Sequence, residues 1–275
     1  MDVQSLYRDS TFGRTSSKSR TRPAPASSET RTVRDAFVPF ETVREPDAAP
    51  TTKTPIDVVP RPRSERLNRF ANIVIAGAAL FILSPLLLII AIVVKLTSRG
   101  PVLYAQPRVG IDRRWNSATA LHDHRVRDLG GQIFKIYKFR SMRFDAENNS
   151  GAVWAIKDDP RVTPVGRVLR KFRLDELPQL FNVLNGEMNI VGPRPERPSI
   201  FARMRVNITE YPMRQRARPG ITGWAQINHT YDVSLDDVRT KVEYDLEYLR
   251  QQSFYFDFKI MLKTIPVVLF RRSGW

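Results

Sequence analysis

The chain contains no cysteine. Disulfides and thiolate chemistry are thereby excluded, and a reducing compartment fits. Histidine is scarce, with only His122, His124 and His229, so a histidine-rich metal site is not expected. Apolar residues are thin in residues 1–62, which are built instead from Ser, Thr, Arg and Pro. Such a stretch cannot offset the entropy of ordering and is expected to be a disordered N-terminal tail. The short run Ala36-Phe37-Val38-Pro39-Phe40 reads as linker, with docking on another surface as the alternative. No signal peptide is expected, because the first long apolar run begins near residue 70 and no small-residue cleavage site follows it.

Positive charge is what the chain has in excess. Against 28 Asp/Glu stand 44 Lys/Arg, a formal charge of +16, with a pI near 10.5. This implies an anionic partner: nucleic acid, an anionic membrane surface or a phosphorylated substrate. Only 13 of the basic residues precede Phe70, so the excess sits in the body of the chain. That favours a site for a charged ligand over a basic arm. The aromatic and basic interleaving of a nucleic-acid surface is missing, and no nucleic acid is expected.

Phe70 to Val94 carries no charge. At ~1.5 Å per residue this run can cross a hydrocarbon core of ~30 Å. Ser84-Pro85 falls near its middle, where proline deletes a backbone hydrogen bond. Both flanks are basic: Arg61, Arg63, Arg66 and Arg69 before, Lys95, Arg99 and Arg108 after. Flanking charge therefore gives no direction of crossing. A helix that enters, breaks at Pro85 and returns to the same face satisfies both flanks; a proline-kinked single span is the alternative. The Ser84 hydroxyl is a candidate partner for the backbone freed at Pro85.

Beyond the apolar run, Val102 to Gln106 reads as a short strand, with a turn at Arg108-Val109-Gly110. Residues 115–130 read as a surface loop in which His122-Asp123-His124 is solvated. Ile133 to Met142 alternates apolar and basic residues, the pattern of a half-buried strand with Lys135 and Arg140 on its exposed face. Val165 to Phe172 has helical spacing. Asp175 is placed to cap a following helix with Pro178 in its first turn, and Gly186 to end it. Glu196 to Met204 and Leu235 to Leu249 read as helices, and Arg214 to Asn228 between them as a basic loop. Phe254 to Trp275 fits an amphipathic helix lying on anionic lipid, with a buried helix as the alternative.

The adjacent carboxylates Asp175 and Glu176 carry the chemistry. A helix N-terminus lowers the pKa of an aspartate there and attracts phosphate. A phosphoryl group arriving would meet an anionic nucleophile, so positive charge and a divalent metal are needed. Arg170, Arg173 and Arg194 can supply the first, and Glu176 suits Mg2+. An aspartate can take the group covalently, splitting one transfer into two steps. Alone, the pair reads first as a helix cap with a salt-bridged neighbour.

Four motifs occur in order: Ile136-Tyr137-Lys138-Phe139-Arg140-Ser141-Met142, Leu174-Asp175-Glu176-Leu177-Pro178-Gln179-Leu180-Phe181-Asn182, Val191-Gly192-Pro193-Arg194-Pro195 and Arg218-Pro219-Gly220-Ile221-Thr222-Gly223-Trp224-Ala225-Gln226. In these, roughly residues 66–275 resemble the bacterial sugar transferase family, the monotopic polyprenyl-phosphate sugar-1-phosphate transferases. The resemblance implies transfer of a sugar 1-phosphate, a hexose by default, from a UDP-sugar to undecaprenyl phosphate. UMP is released, and exopolysaccharide or a related glycan is begun. It further implies Asp175 as nucleophile, Glu176 as Mg2+ ligand, and Arg170 and Arg194 as phosphate-binding arginines. Lys138, Arg140 and Arg218, in the first and last motifs, are further phosphate or nucleotide candidates. It implies a re-entrant helix broken at Ser84 and Pro85, with both ends at the cytoplasmic face of the bacterial inner membrane. The chain departs from the pattern at Asn68-Arg69 and Asn72, where members often have Lys-Arg and then Asp. The expected fold is α+β and mainly helical, with a small β element. The tail is residues 1–62, the re-entrant helix with its basic flanks 63–98, and the catalytic domain with interfacial helices 99–275. Anionic lipids and a second copy of the chain complete the expected partners. A basic membrane-surface scaffold without catalysis would explain the charge, but not the four motifs.

Overall fold

The computed structural model describes residues 57–115, 130–144, 146, 159–229 and 234–270. Most of the tail, the His122-Asp123-His124 loop and Arg271-Arg272 lie outside these residues.

Helix α1, Glu65–Thr97, is the long apolar element. Ser64 caps it by accepting from Leu67 N at 3.3 Å. Among the described residues it is the one helix long and apolar enough to cross a membrane. Pro85 lies inside it, and the helix continues. The carbonyl that Pro85 cannot satisfy is that of Phe81, four residues back. Ser84 Oγ donates to it at 2.8 Å. One stripe of α1 is buried, through Asn72, Ala76, Ile90 and Val94, while Phe70, Phe81, Ile82, Leu88 and Leu96 are exposed.

Among the described residues, two sheets of two strands each stand beside α1. Strands β1 (Leu103–Val109) and β2 (Ile133–Phe139) pair antiparallel, with Leu103 opposite Phe139 and Val109 opposite Ile133. The expected turn at Arg108-Val109 is corrected: both residues belong to β1. Strands β3 (Asn189–Val191) and β4 (Gly220–Thr222) pair in parallel. The reading of Arg214 to Asn228 as a loop is also corrected. A 3-10 turn spans Tyr211–Arg216, β4 follows, and a short helix covers Trp224–Asn228. Glycine explains this order. A Cβ on Gly220 would stand 2.1 Å from Gly192 N, so the two segments pair only at bare-backbone distance.

Among the described residues the remaining helices are α2 (Pro164–Lys171), α3 (Gln179–Asn185), α4 (Pro198–Asn207), α5 (Trp224–Asn228), α6 (Leu235–Gln251) and α7 (Phe254–Phe270). Helix α4 starts later than expected, leaving Glu196 ahead of it. A core of Phe201, Met204, Tyr211, Val242, Leu249 and Ile260 joins α4, α6 and α7. Val58 is 2% exposed within the same core. Arg61 N donates to Leu249 O at 2.8 Å, and Arg216 to Val58 O at 2.7 Å. Disorder through residue 62 is therefore corrected at its end: residues 57–62 are strapped to the body by Val58 burial and backbone hydrogen bonds. The fold is mostly helical with small sheets.

Both ends of α1 are fastened. Near its start, Arg69 donates to the carbonyls of Val183 and Leu184 at the end of α3. Asn72 accepts from Ile190 N at 2.6 Å while donating to Asn68 O at 2.8 Å. At its far end Arg140 donates to Ser98 O and Ser98 Oγ, each at 2.7 Å, and to Pro101 O. Arg140 is 5% exposed, which corrects the expectation that it lies on the open face of β2; Lys135 does lie there.

A second clasp joins the strap, α6 and α7. Asp257 accepts from Tyr248 OH at 2.9 Å and from Arg63 at 3.1 Å. Burial pushes Asp257 up to about 6, more than Arg63 pulls it down.

Replacing Asn72 by Ala should leave the Ile190 N–H unpaired and cost about 1–3 kcal/mol, read as a lower denaturant midpoint. For Asp257 the sign follows from its raised folded pKa. Its contribution is fully present below the unfolded value near 4 and is lost as pH rises through about 6. The wild type should lose up to about 3 kcal/mol relative to Asp257→Asn between pH 4 and 7. Denaturation of both proteins across that range checks it.

Candidate active site

The site forms where α2 ends. Thr163 caps α2 by accepting from Gly166 N at 2.9 Å. After Lys171 the chain turns at Arg173, whose φ of 54° is the one positive value for a non-glycine among the described residues. Such a conformation is costly and persists where surroundings enforce it. It starts a 3-10 turn, Leu174–Glu176, with Glu176 N donating to Arg173 O at 3.2 Å. Leu174 packs with Ile90 and Val94 of α1. The carboxylates thus begin one residue from the apolar helix.

Asp175 does not cap α3. Pro178 stands at the cap position, with no side-chain hydrogen bond, and Gly186 ends the helix at φ 80°. The expected low pKa of Asp175 is corrected with it. Burial pushes its carboxyl above the usual carboxylate range; Lys138 opposes this, Glu176 adds to it, and Arg170 and Arg194 oppose it further. Among the described residues no hydrogen bond or ion pair holds the Asp175 side chain.

Glu176 is the reverse case. Arg194 grips it with two nitrogens, at 2.6 Å to Oε1 and 3.2 Å to Oε2. Lys138 Nζ donates to Oε1 at 2.7 Å. Burial alone would raise this carboxyl, but Arg194 and Lys138 outweigh it and hold Glu176 well below its ordinary value. In turn Glu176 raises Arg194, while burial lowers Lys138. Both carboxylates are 7% exposed. Two neighbours of equal burial therefore differ by partners alone.

Asn182 fixes the strand that carries Lys138. Fully buried, it accepts from Tyr137 N at 3.1 Å and donates to Lys135 O at 2.7 Å. Sequence reasoning missed it, although it closes the second motif. Arg170 Nε donates to Ser141 Oγ at 3.0 Å, which leaves its charge facing Asp175 and Asp159. The structure thus gathers Asp175, Glu176, Lys138, Arg170 and Arg194. It does not bring Arg140 or Arg218 to them. Arg140 closes the end of α1, and Arg218 pairs with Glu65 at its start, at 2.6 Å. Sequence reasoning also missed Glu196, Arg108, Arg214 and Lys241, which lie behind Arg194.

For a metal, the donor set is two hard carboxylates. No group of three or more candidate ligands occurs among the described residues. Mg2+ is commonly held by one or two carboxylates with substrate phosphates and water completing its shell, and the pair fits that chemistry.

A family model described as bacterial sugar transferase matches residues 63–271. An undecaprenyl-phosphate N-acetylgalactosaminephosphotransferase of Aeromonas hydrophila is 41% identical over 212 residues, 77% of this chain and 46% of that protein. The undecaprenyl-phosphate glucose phosphotransferase of Komagataeibacter xylinus is 43% identical over 71% of this chain and 34% of itself. Against these two, the chain spans less than half the relative's length. The exopolysaccharide production protein ExoY of Rhizobium meliloti is 35% identical over 78% of this chain and 91% of that protein. With the match covering most of the chain and every motif at the carboxylate cluster, the chain belongs to the bacterial sugar transferase family.

Proposed function

We propose that the chain transfers a sugar 1-phosphate, from a UDP-hexose by default, to undecaprenyl phosphate, as the first membrane step of an exopolysaccharide or related glycan. The observation that carries this reading is the division of labour in the dyad. Glu176 is paired with Arg194 and Lys138, while Asp175 is buried beside it and unpaired. An unpaired carboxylate among cations is a nucleophile ready for a phosphoryl group. An Asp175 oxygen attacks the phosphorus that bears the sugar. The bond to the bridging oxygen breaks, and UMP leaves with that electron pair. A phosphate oxygen of undecaprenyl phosphate then attacks the same phosphorus and frees the Asp175 carboxylate. Arg194, Lys138 and Arg170 offset the charge of the approaching diphosphate. Glu176 would hold Mg2+ together with the substrate phosphates, and the ion would add positive charge at the phosphate oxygens.

The acceptor implies a membrane. Re-entry of α1 is supported by its two fastened ends. Ile136 belongs to the core with Ala76 and Leu80, and Phe139 to the core with Ile90 and Val94. Both ends held on the same body fit a helix that returns at Pro85 to the face it entered, and both basic flanks then meet anionic headgroups on the cytoplasmic face. Helix α7 buries Phe256 and Ile260 and exposes Phe254, Tyr255, Phe258, Leu262 and Ile265, as a helix lying at the interface would.

Asp175→Asn should lower UMP release from a UDP-sugar panel with undecaprenyl phosphate by at least about 10³-fold while the protein still folds. Normal turnover in that variant would remove Asp175 as nucleophile. Since the chain has no cysteine, Ser64→Cys and Ser98→Cys offer single labelling sites. Both should react with an impermeant thiol reagent from the cytoplasmic side only. Labelling of one from each side would establish a span instead.

A further inference from the structure

Arg194 sits on a segment without regular structure, Gly192–Glu196, between β3 and α4. Two of its five residues are prolines with no N–H to donate. Its backbone is nevertheless held at every residue. Gly192 N donates to Thr222 O at 2.9 Å, and Pro193 O accepts from Gly220 N at 3.0 Å. Arg194 O accepts from Arg214 Nη2 at 3.1 Å. Pro195 O accepts from Arg108 Nη1 at 3.2 Å, and Glu196 O from Val109 N at 2.9 Å.

Beneath this segment lies a buried ionic cluster. The Glu196 carboxylate meets Lys241 at 3.0 Å, Arg214 at 3.7 Å and Arg108 at 3.9 Å. Arg214, wholly buried, also pairs with Asp245 at 2.7 Å. The cations come from three elements: Arg108 from β1, Arg214 from the 3-10 turn and Lys241 from α6. Two of them also hold the segment's backbone: Arg214 donates a second nitrogen to Arg194 O, and Arg108 donates to Pro195 O the same nitrogen that faces Glu196. Glu196 is the carboxylate they share. Burial pushes it up, but Lys241, Arg214 and Arg108 outweigh burial and bring it to about 2, so it stays ionised.

We infer that Glu196 is a positioning residue for Arg194: by gathering Arg108, Arg214 and Lys241 beneath the Gly192–Glu196 segment, it fixes where the Arg194 guanidinium stands when a nucleotide diphosphate enters. The inference rests on the proposed function for the identity of the ligand. In the geometry described, Arg194 is occupied by Glu176. A diphosphate must meet the same guanidinium, so a backbone that moved with it would waste the binding. A cluster anchored in three elements keeps that backbone in place.

The test is a double-mutant cycle on the full chain in lipid nanodiscs. Wild type, Glu196→Gln, Arg194→Ala and the double variant are compared by kcat/KM for UMP release and by Kd for UDP. Glu196→Gln should lose roughly 10-fold or more alone, yet change by less than about twofold in the Arg194→Ala background, because residues acting through one another are not additive. Additive losses, which a general loosening of the fold would give, overturn the inference, as does wild-type behaviour of Glu196→Gln. Should Glu196→Gln fail to fold, Lys241→Gln replaces it in the same cycle with the same expectation. A wild type that binds UDP but releases no UMP with any sugar overturns the proposed reaction, and the positioning role is then decided on Kd. A wild type that does not bind UDP overturns both.

Discussion

Two adjacent carboxylates buried to the same degree repel each other, and a site built on them has to break that symmetry. Here the cations break it. Arg194 and Lys138 both converge on Glu176, and none of the described side chains takes Asp175. The consequence is a division of protonation behaviour: Glu176 is held ionised, and Asp175 is pushed the other way. An aspartate neutralised by a tight ion pair would be a poor nucleophile. One left unpaired but surrounded by positive potential keeps its lone pairs for a phosphorus that brings its own negative charge. The left-handed turn at Arg173 belongs to the same arrangement, since it aims the 3-10 turn into the cations of β2 and the Gly192–Glu196 segment.

The apolar helix and the carboxylate cluster share one scaffold. Three consecutive residues near the end of β2 divide the work. Lys138 reaches Glu176, Phe139 enters the core with Ile90 and Val94, and Arg140 closes the end of α1. On the other side, Leu174 packs on that core and Asp175 follows it. A shift of α1 is therefore a shift of the cluster. In the proposed transfer to a lipid-borne phosphate, this linkage sets the height of Asp175 above the hydrocarbon.

Local patterns made much of this legible. The uncharged run gave α1, and the spacing of Val165, Val168, Leu169 and Phe172 gave α2. Alternation gave β2, and the Gly186 stop proved correct. The errors share a physical cause, which is dependence on partners distant in the chain. Asp175 looked like a helix cap because Pro178 follows; its raised pKa depends on burial and on charges as distant in the chain as Lys138 on β2 and Arg194 beyond β3. Arg140 belongs by alternation to an open face, but the carbonyls of Ser98 and Pro101 draw it in. Val58 lies in a segment whose average composition is that of a linker, and only α6 shows what it packs against. Glu196 directly follows the Arg194 motif, yet its three cations come from positions 108, 214 and 241.

The charge excess also takes on a more particular meaning. A basic body suggested a site for an anionic ligand, and in the proposed transfer Arg194 and Lys138 serve that. Many of the other cations are turned inward. Arg69 meets the last carbonyls of α3, and Arg140 those at the end of α1, where a helix presents its negative pole. Arg108 and Arg214 meet the carbonyls of a proline-rich segment that has too few N–H groups to form regular structure. Arg216 holds the strap at Val58. Arginine does this work because its planar fork can bond two carbonyls, or a carbonyl and a carboxylate, at once. Basic composition in this chain therefore measures backbone left unsatisfied by short elements as much as it measures affinity for phosphate.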